Sequence, residues 1–172
     1  MTLAIAHKEG DTAVLDCLRE NPPRFSPEAV VDEFAEVCRR YRVVRVYGDR
    51  YAGEWPREQF AKRSINYIHA TSSKSEIYID ALPLINSGAA DLLDDEVLIS
   101  QLASLERRVT RGGRDSIDHP PGGHDDVANA ATGALVAAMQ RHVRDRGNRA
   151  GPLSIENLSN YSAHDFARQG GA

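Results

Sequence analysis

The residue types best suited to chemistry in this chain lie in one stretch, residues 118–126, which reads Asp-His-Pro-Pro-Gly-Gly-His-Asp-Asp. An alanine-rich run without proline follows from Val127 to Met139 and predicts a helix. Asp125 and Asp126 then lie at the helix start, where carboxylates cap free N–H groups and interact favourably with the helix dipole. The alternative is a metal site, because paired carboxylates suit Mg²⁺ or Mn²⁺, and two such ions suit phosphodiester hydrolysis. This stretch alone leaves both interpretations open.

A second candidate acid is Asp49. The β-branched run Val43–Tyr47 predicts a strand, and it follows a helix that itself follows a strand. This order is typical of a βαβ unit, in which the strands pair in parallel. Ligand sites in such sheets lie beyond the carboxyl ends of the strands, where Asp49 stands. The other interpretation is that Asp49 is a turn residue beside Gly48.

The elements that must position these acids follow from periodicity, proline and glycine. The sequence predicts an α/β fold with a mixed sheet, opening with a hairpin that turns at Gly10-Asp11. Pro83 is expected to kink or shorten its helix. Strands are predicted at 2–7, 12–18, 43–47, 65–70 and 90–93, and helices at 27–40, 54–60, 73–85, 94–105 and 125–144. Residues 1–145 are expected to form the domain, and 146–172 a linker and mobile tail.

The densest basic patch consists of four arginines around Gly112-Gly113. The glycine pair predicts a hairpin or a mobile loop. Arginines in such a position contact phosphates or solvent, and the patch leads directly into residues 118–126. The arginines are Arg107, Arg108, Arg111 and Arg114. The acids at 94–96 are explained by helix capping alone.

Composition restricts the class of protein. The 172 residues are 41% apolar and 27% charged, which is ordinary for a globular domain. No run approaches the ~18 apolar residues of a membrane span, and the N-terminus does not resemble a signal peptide. Cys17 and Cys38 lack metal-ligand spacing, which indicates buried thiols in a reducing cytoplasm. The net charge of −4 neither indicates nor excludes binding of nucleic acid.

Three stretches in the same order resemble one known family. They are residues 47–55 (Tyr-Gly-Asp-Arg-Tyr-Ala-Gly-Glu-Trp), 73–78 (Ser-Lys-Ser-Glu-Ile-Tyr) and 118–126. Together they resemble the nuclease domain of bacteriophage large terminase subunits over residues 2–144. The resemblance implies a ribonuclease H-like mixed sheet flanked by helices, and an acidic cluster that binds two Mg²⁺ or Mn²⁺ ions. It also implies an endonuclease that cuts concatemeric double-stranded DNA in the cytoplasm of a bacterial host.

The resemblance assigns roles to individual residues. It implies that the catalytic, metal-binding acids are Asp49 and Asp125 or Asp126, or both of the latter. His124 either orients a carboxylate or, as is more usual for a histidine at a helix start, is a capping or surface residue. Lys74 and the four arginines would contact DNA. The partners it implies are the portal, the small terminase subunit and a separate ATPase domain.

The chain departs from the family pattern at its first strand. That strand is central in the family's sheet and carries the first catalytic Asp, but this chain begins at what resembles the second strand. We therefore expect a truncated domain, such as a prophage remnant or the product of a late start codon, with a poorly active site that Asp11 and Asp16 do not complete. Three hypotheses remain open: a two-metal endonuclease, an inactive remnant that binds only DNA or a packaging partner, and a plain α/β domain whose acids are caps.

Overall fold

The computed structural model describes residues 1–22, 24, 26–48, 53–109, 115–144 and 153–157 of the chain. They form a mixed α/β fold with a six-stranded sheet, a separate two-stranded hairpin and helices on both faces of the sheet. The strands are β1 (Thr2–Glu9), β2 (Thr12–Glu20), β3 (Arg45–Gly48), β4 (Asn66–His69), β5 (Ala90–Asp91), β6 (Glu106–Val109), β7 (Asp115–Asp118) and β8 (Leu153–Asn157). The helices are α1 (Pro27–Arg40), α2 (Trp55–Lys62), α3 (Lys74–Asn86), α4 (Glu96–Ser104) and α5 (Asp126–Arg144).

The predicted hairpin at the start of the chain is confirmed. Strands β1 and β2 pair antiparallel from Thr2 with Glu20 to Glu9 with Thr12. The two-residue turn between them needs a positive φ, and Gly10 supplies it at +59°. Apolar residues alternate along β1, so Leu3 and Ile5 face one side of the sheet and Ala4 and Ala6 face the other.

Two layers of helices cover the sheet. Helices α1 and α2 pack on the Leu3 face, with Phe34 and Phe60 fully buried among the strand residues. Helix α5 packs on the Ala4 face through an alanine stripe, which lets the helix approach the sheet closely. None of the helices that the structure describes is long and apolar enough to cross a membrane.

The order of the sheet, β4-β3-β8-β1-β2-β5, differs from the sequence prediction in one respect. We expected the strand at 43–47 to lie beside either a strand or a gap, and we assigned residues 146–172 to a linker and tail. In the sheet β8 lies between β1 and β3, antiparallel to the former and parallel to the latter. The physical reason is that β1 and β3 both present backbone donors and acceptors at this position, and Leu153–Asn157 alternates apolar and polar residues as a strand does.

Helix α3 and the β6–β7 hairpin form the part of the molecule that carries the candidate site. The hairpin predicted around Gly112-Gly113 is confirmed by antiparallel pairing from Glu106 with Asp118 to Val109 with Asp115, whereas residues 110–114 lie outside the described part. Of the two serines that could cap helix α3, Ser72 and Ser73, it is Ser73 that does so, and the helix continues through Pro83 to Asn86, so this proline does not shorten it.

Candidate metal centre

The connection between β7 and α5 brings three potential metal ligands together. Asp118 ends β7, and His119 follows it directly. The chain then turns through Pro120 and Gly122, whose φ is +79°, and returns to Asp125 immediately before α5. As a result, one ligand atom from each of Asp118, His119 and Asp125 lies within 4.8 Å of the other two.

The contacts of Asp125 decide between the two interpretations of this residue. A capping carboxylate accepts a hydrogen bond from the second or third N–H of its helix. In α5, the N–H of Ala128 instead donates to Gln101 Oε1 of α4 at 2.9 Å. The Asp125 side chain is only 6% exposed, and its Oδ2 accepts a hydrogen bond from the hydroxyl of Tyr78 at 2.9 Å. The carboxylate is therefore directed into the cluster.

Tyr78 is a fixed donor to this carboxylate. Its side chain is 3% exposed on α3, where burial and the negative charge of Asp125 raise the pKa of its hydroxyl. The hydroxyl therefore stays protonated and donates to Asp125. Such a hydrogen bond orients the carboxylate and leaves its other oxygen, Oδ1, to other partners.

His119 is held in the tautomer that a metal ligand requires. Its Nδ1 lies 2.9 Å from the carbonyl oxygen of Pro120, and a carbonyl only accepts, so Nδ1 carries the proton. In the neutral ring the lone pair is then on Nε2. This atom lies 3.8 Å from Asp118 Oδ1 and 4.0 Å from Asp125 Oδ1. A histidine that donates one ring N–H to a backbone carbonyl and turns the other nitrogen to carboxylates matches the usual pattern of metal-binding histidines.

Lys74 supplies the positive charge of the cluster. Its Nζ lies 2.5 Å from Asp118 Oδ1 and 3.1 Å from Asp125 Oδ2. Burial lowers the pKa of Lys74, but the hydrogen bonds to Asp118 and Asp125 outweigh that effect and raise it. The same hydrogen bond lowers the pKa of Asp118. The ammonium group of Lys74 and the carboxylate of Asp118 are therefore both stabilised in their charged forms.

The start of α3 is held firmly against β7. Ser73 and Glu76 form a capping box, in which each side chain accepts from the backbone N–H of the other residue. Ser75 Oγ accepts from the N–H of Ile117 at 3.1 Å and donates to its carbonyl at 3.0 Å. The backbone at Lys74 is thus fixed next to Asp118, one residue after Ile117.

The structure places the residues predicted for the site as follows. Asp125 is in the cluster, whereas Asp126 is the half-buried first residue of α5 and is not among the three converging ligands. Lys74 is in the cluster as an ion-pair partner. Arg107 and Arg108 are exposed on β6, with Arg108 paired to Glu106 at 2.7 Å. Asp49, Arg111 and Arg114 lie outside the described residues, so the predicted meeting of Asp49 with Asp125 stays a prediction.

Sequence reasoning missed Asp118 and His119, although both lie in the stretch it singled out. The available signal was an acid at the carboxyl end of a short strand, the same signal that had selected Asp49. Tyr78 was also missed as a functional residue. It lies 47 residues from Asp125 in sequence, and no local pattern connects the two.

The donor set of this cluster fits a divalent cation. Two carboxylates suit both Mg²⁺ and Mn²⁺, and the imidazole nitrogen makes the set of ligands more favourable for Mn²⁺ and other transition-metal ions than for Mg²⁺. Among the described residues, Lys74 is the lysine that contacts both carboxylates, Asp118 and Asp125.

Comparison with known proteins gives a clear structural result. The sequence matches no protein-family model and no curated protein. The fold matches the large terminase nuclease of thermophilic phage G20c, with a TM-score of 0.60 and 18% identity over 81% of each chain. That nuclease has also been solved with bound cobalt and with bound magnesium. The large terminase nuclease domain of Thermus phage P74-26 matches with a TM-score of 0.57 and 16% identity, over 86% of this chain and 83% of that one. The chain therefore has the fold of large terminase nuclease domains.

Proposed function

We propose that this chain is a metal-dependent nuclease of the terminase type, which hydrolyses phosphodiester bonds of double-stranded DNA. The observation that carries the proposal is the convergence of Asp118, His119 and Asp125, ligand types suited to a divalent cation, at the start of α5. The fold supports it, because the similar domains are named nucleases and one of them binds magnesium and cobalt. Cleavage of concatemeric phage DNA to genome length is part of the same proposal.

The chain's own residues would divide the work at this site. Asp118, Asp125 and the Nε2 atom of His119 would hold a divalent cation, Mg²⁺ or Mn²⁺. When bound, such an ion activates a water molecule and stabilises negative charge on the reacting phosphate. Tyr78 keeps Asp125 in position through the 2.9 Å hydrogen bond, and the Pro120 carbonyl keeps His119 in the required tautomer.

A two-metal mechanism needs further ligands near the first site. We propose Asp49 and Asp126 for this role. Asp126 supports the proposal by its position next to Asp125 at the start of α5. Asp49 supports it by its position in sequence, directly after β3, where ligand sites of such sheets lie.

The DNA would approach along the β6–β7 hairpin. Its first strand exposes Arg107 and Arg108, and its second strand ends at Asp118 in the cluster. Guanidinium groups in this position suit the phosphates of a DNA duplex, and their electrostatic attraction to phosphate does not depend on the base sequence. Arg111 and Arg114 would add to these guanidinium groups. Portal protein, small terminase subunit and a separate ATPase domain are the protein partners that we propose for a nuclease of this type.

A plasmid-cleavage assay tests the proposal. We expect the purified chain to nick supercoiled DNA in Mn²⁺, and more weakly in Mg²⁺, because the site includes an imidazole. Asp118→Asn and Asp125→Asn should each abolish nicking, since each removes a charged ligand. Asp94→Asn is the matched control, because Asp94 is an exposed acid just before α4 and should not affect cleavage.

Two outcomes would contradict the proposal. Cleavage that persists in both Asn variants would come from another site or from a contaminant. Absence of cleavage, together with DNA binding that does not depend on metal, would instead show a module that binds DNA without cutting it.

A further inference from the structure

Lys74 lies where a divalent cation would have to bind. Its Nζ contacts Asp118 Oδ1 and Asp125 Oδ2, one oxygen from each of the two carboxylates in the cluster. A divalent cation held by the same two carboxylates would compete with the ammonium group for these oxygens, because carboxylate oxygens are the ligands that such a cation requires. Both cations therefore need the same oxygens.

We propose that Lys74 is the resident counter-ion of this cluster, and that a divalent cation binds only by displacing its ammonium group. The inference rests on the proposed function, since it concerns the same metal site. It assigns Lys74 a role opposite to that of a ligand: it holds the two carboxylates together in the metal-free protein and weakens metal binding.

Charge supports this role. Two carboxylates and one ammonium group leave the cluster with a net charge of −1, and a bound divalent ion would make it +1 if the ammonium group stayed in place. Two cations at contact distance in a partly buried site repel each other strongly. The side chain of Asp125 is 6% exposed, so solvent does little to screen this repulsion.

The geometry of α3 allows the displacement without unfolding. The capping box and the two Ser75–Ile117 hydrogen bonds fix the backbone at Lys74, so the helix stays in place. The Lys74 side chain is 31% exposed and has four rotatable methylene groups, so it can swing toward solvent. Once it has done so, the lone pair on Nε2 of His119 and the two carboxylates face the ion.

Calorimetric titration with Mn²⁺ and Mg²⁺ tests the proposal on the full chain. Lys74→Met keeps the length and apolar stem of the side chain and removes its charge. We expect this variant to bind either ion at least about tenfold more tightly than the wild type, because no cation has to be displaced. Lys74→Arg should bind no more tightly than the wild type, because it keeps the charge.

The matched control is Lys62→Met. Lys62 is an exposed residue at the end of α2, so this variant makes the same change in net charge away from the cluster. Affinity in Lys74→Met no higher than in Lys62→Met would overturn the proposal. It would mean that metal and ammonium group bind together, for example with the metal on Asp125 Oδ1.

Failure of the proposed function is distinguishable from failure of this inference. If Asp125→Asn abolishes metal binding but Lys74→Met leaves the metal affinity unchanged, the metal site is confirmed and only the displacement of Lys74 is wrong. If neither the wild type nor Lys74→Met binds metal at a site that depends on Asp125, the proposed function fails with it.

A second measurement keeps the proposal testable if Lys74→Met does not fold. The ¹⁵Nζ resonance of Lys74 in the wild type reports its ion pairs through slow exchange of the ammonium protons. Saturation with Mg²⁺ should turn it into the signal of a solvated lysine, and an unchanged resonance at saturation would refute displacement.

Discussion

The hydroxyl of Tyr78 offers the most direct test of how the site is built. It is buried on α3 and donates to Asp125 Oδ2 at 2.9 Å, while the same oxygen also faces Lys74 Nζ at 3.1 Å. Tyr78→Phe removes this hydrogen bond and a longer one, at 3.4 Å, from the same hydroxyl to the backbone carbonyl of Asp125, and it leaves the shape of the core nearly unchanged. The perturbation therefore isolates one contact of a buried carboxylate.

The expected cost follows from the partners. A hydrogen bond to a charged group contributes about 1.5–3 kcal/mol, and leaving a buried acceptor without its donor adds to the loss. Because Lys74 still neutralises Asp125 in the variant, we expect a value near the lower end, about 2 kcal/mol. For a chain of this size that corresponds to a decrease in Tm of roughly 4–8 °C.

Urea unfolding at neutral pH, followed by circular dichroism, measures this loss. Tyr41→Phe is the matched control, because the Tyr41 hydroxyl hydrogen-bonds to the backbone carbonyl of Asp16 at 3.3 Å and to the thiol of Cys17 and not to a carboxylate. In an Asp125→Ala background, Tyr78→Phe should cost less, since the carboxylate acceptor is gone and only the 3.4 Å hydrogen bond to the backbone carbonyl of residue 125 remains. The single variant Tyr78→Phe should also bind Mn²⁺ about 10–100-fold more weakly than the wild type, because Asp125 is no longer oriented.

The reasoning would be refuted by a Tyr78→Phe variant that loses no more stability than Tyr41→Phe. The same holds if its cost is undiminished in the Asp125→Ala background. Either result would mean that the hydroxyl stabilises the core without acting on the carboxylate, and the orienting role of Tyr78 would be wrong.

Three further results are expected. Asp118→Asn should reduce the free energy of unfolding by at most ~1 kcal/mol near neutral pH, because the carboxylate is half exposed. Since Lys74 holds the pKa of Asp118 below its ordinary 3.8, the difference between wild type and variant, measured by unfolding in EDTA, should be constant above about pH 5 and disappear as the pH falls through the lowered pKa. His119→Ala should weaken Mn²⁺ binding more than Mg²⁺ binding, as calorimetry would show, and equal losses would exclude it as a nitrogen ligand. A chain ending at residue 152 should lose its cooperative thermal transition, because removing Leu153–Asn157 leaves backbone groups of β1 and β3 without partners, at a cost of about 1–3 kcal/mol for each buried group. An unchanged Tm would contradict the place of β8 in the sheet.

Much of the local structure was predictable because its signals are local. The Gly10-Asp11 turn between two short apolar runs predicts the first hairpin, and the serines at 72 and 73 predict the start of α3 to within one residue. Apolar spacing predicts the buried face of α1. Each of these patterns acts within a few residues, so one sequence is enough to show it.

The central strand was not predictable in the same way. Leu153–Asn157 is short and follows a polar stretch, so its alternation of apolar and polar residues is too brief to separate a strand from a tail. What selects it is the position between β1 and β3, where the backbone groups of both strands require partners. That requirement exists only after the rest of the sheet has formed.

The candidate site divides along the same line. The sequence alone determined that residues 118–126 place acids at a helix start, because proline, glycine and an alanine-rich run act locally. Only the tertiary structure decided that Asp125 is directed into a cluster, since its partners Tyr78 and Lys74 come from α3, and Tyr78 lies 47 residues away. A carboxylate at a helix start has the same sequence signature whether it caps the helix or binds a cation. The difference lies in which donors the packing of α3, α4 and β7 brings to it.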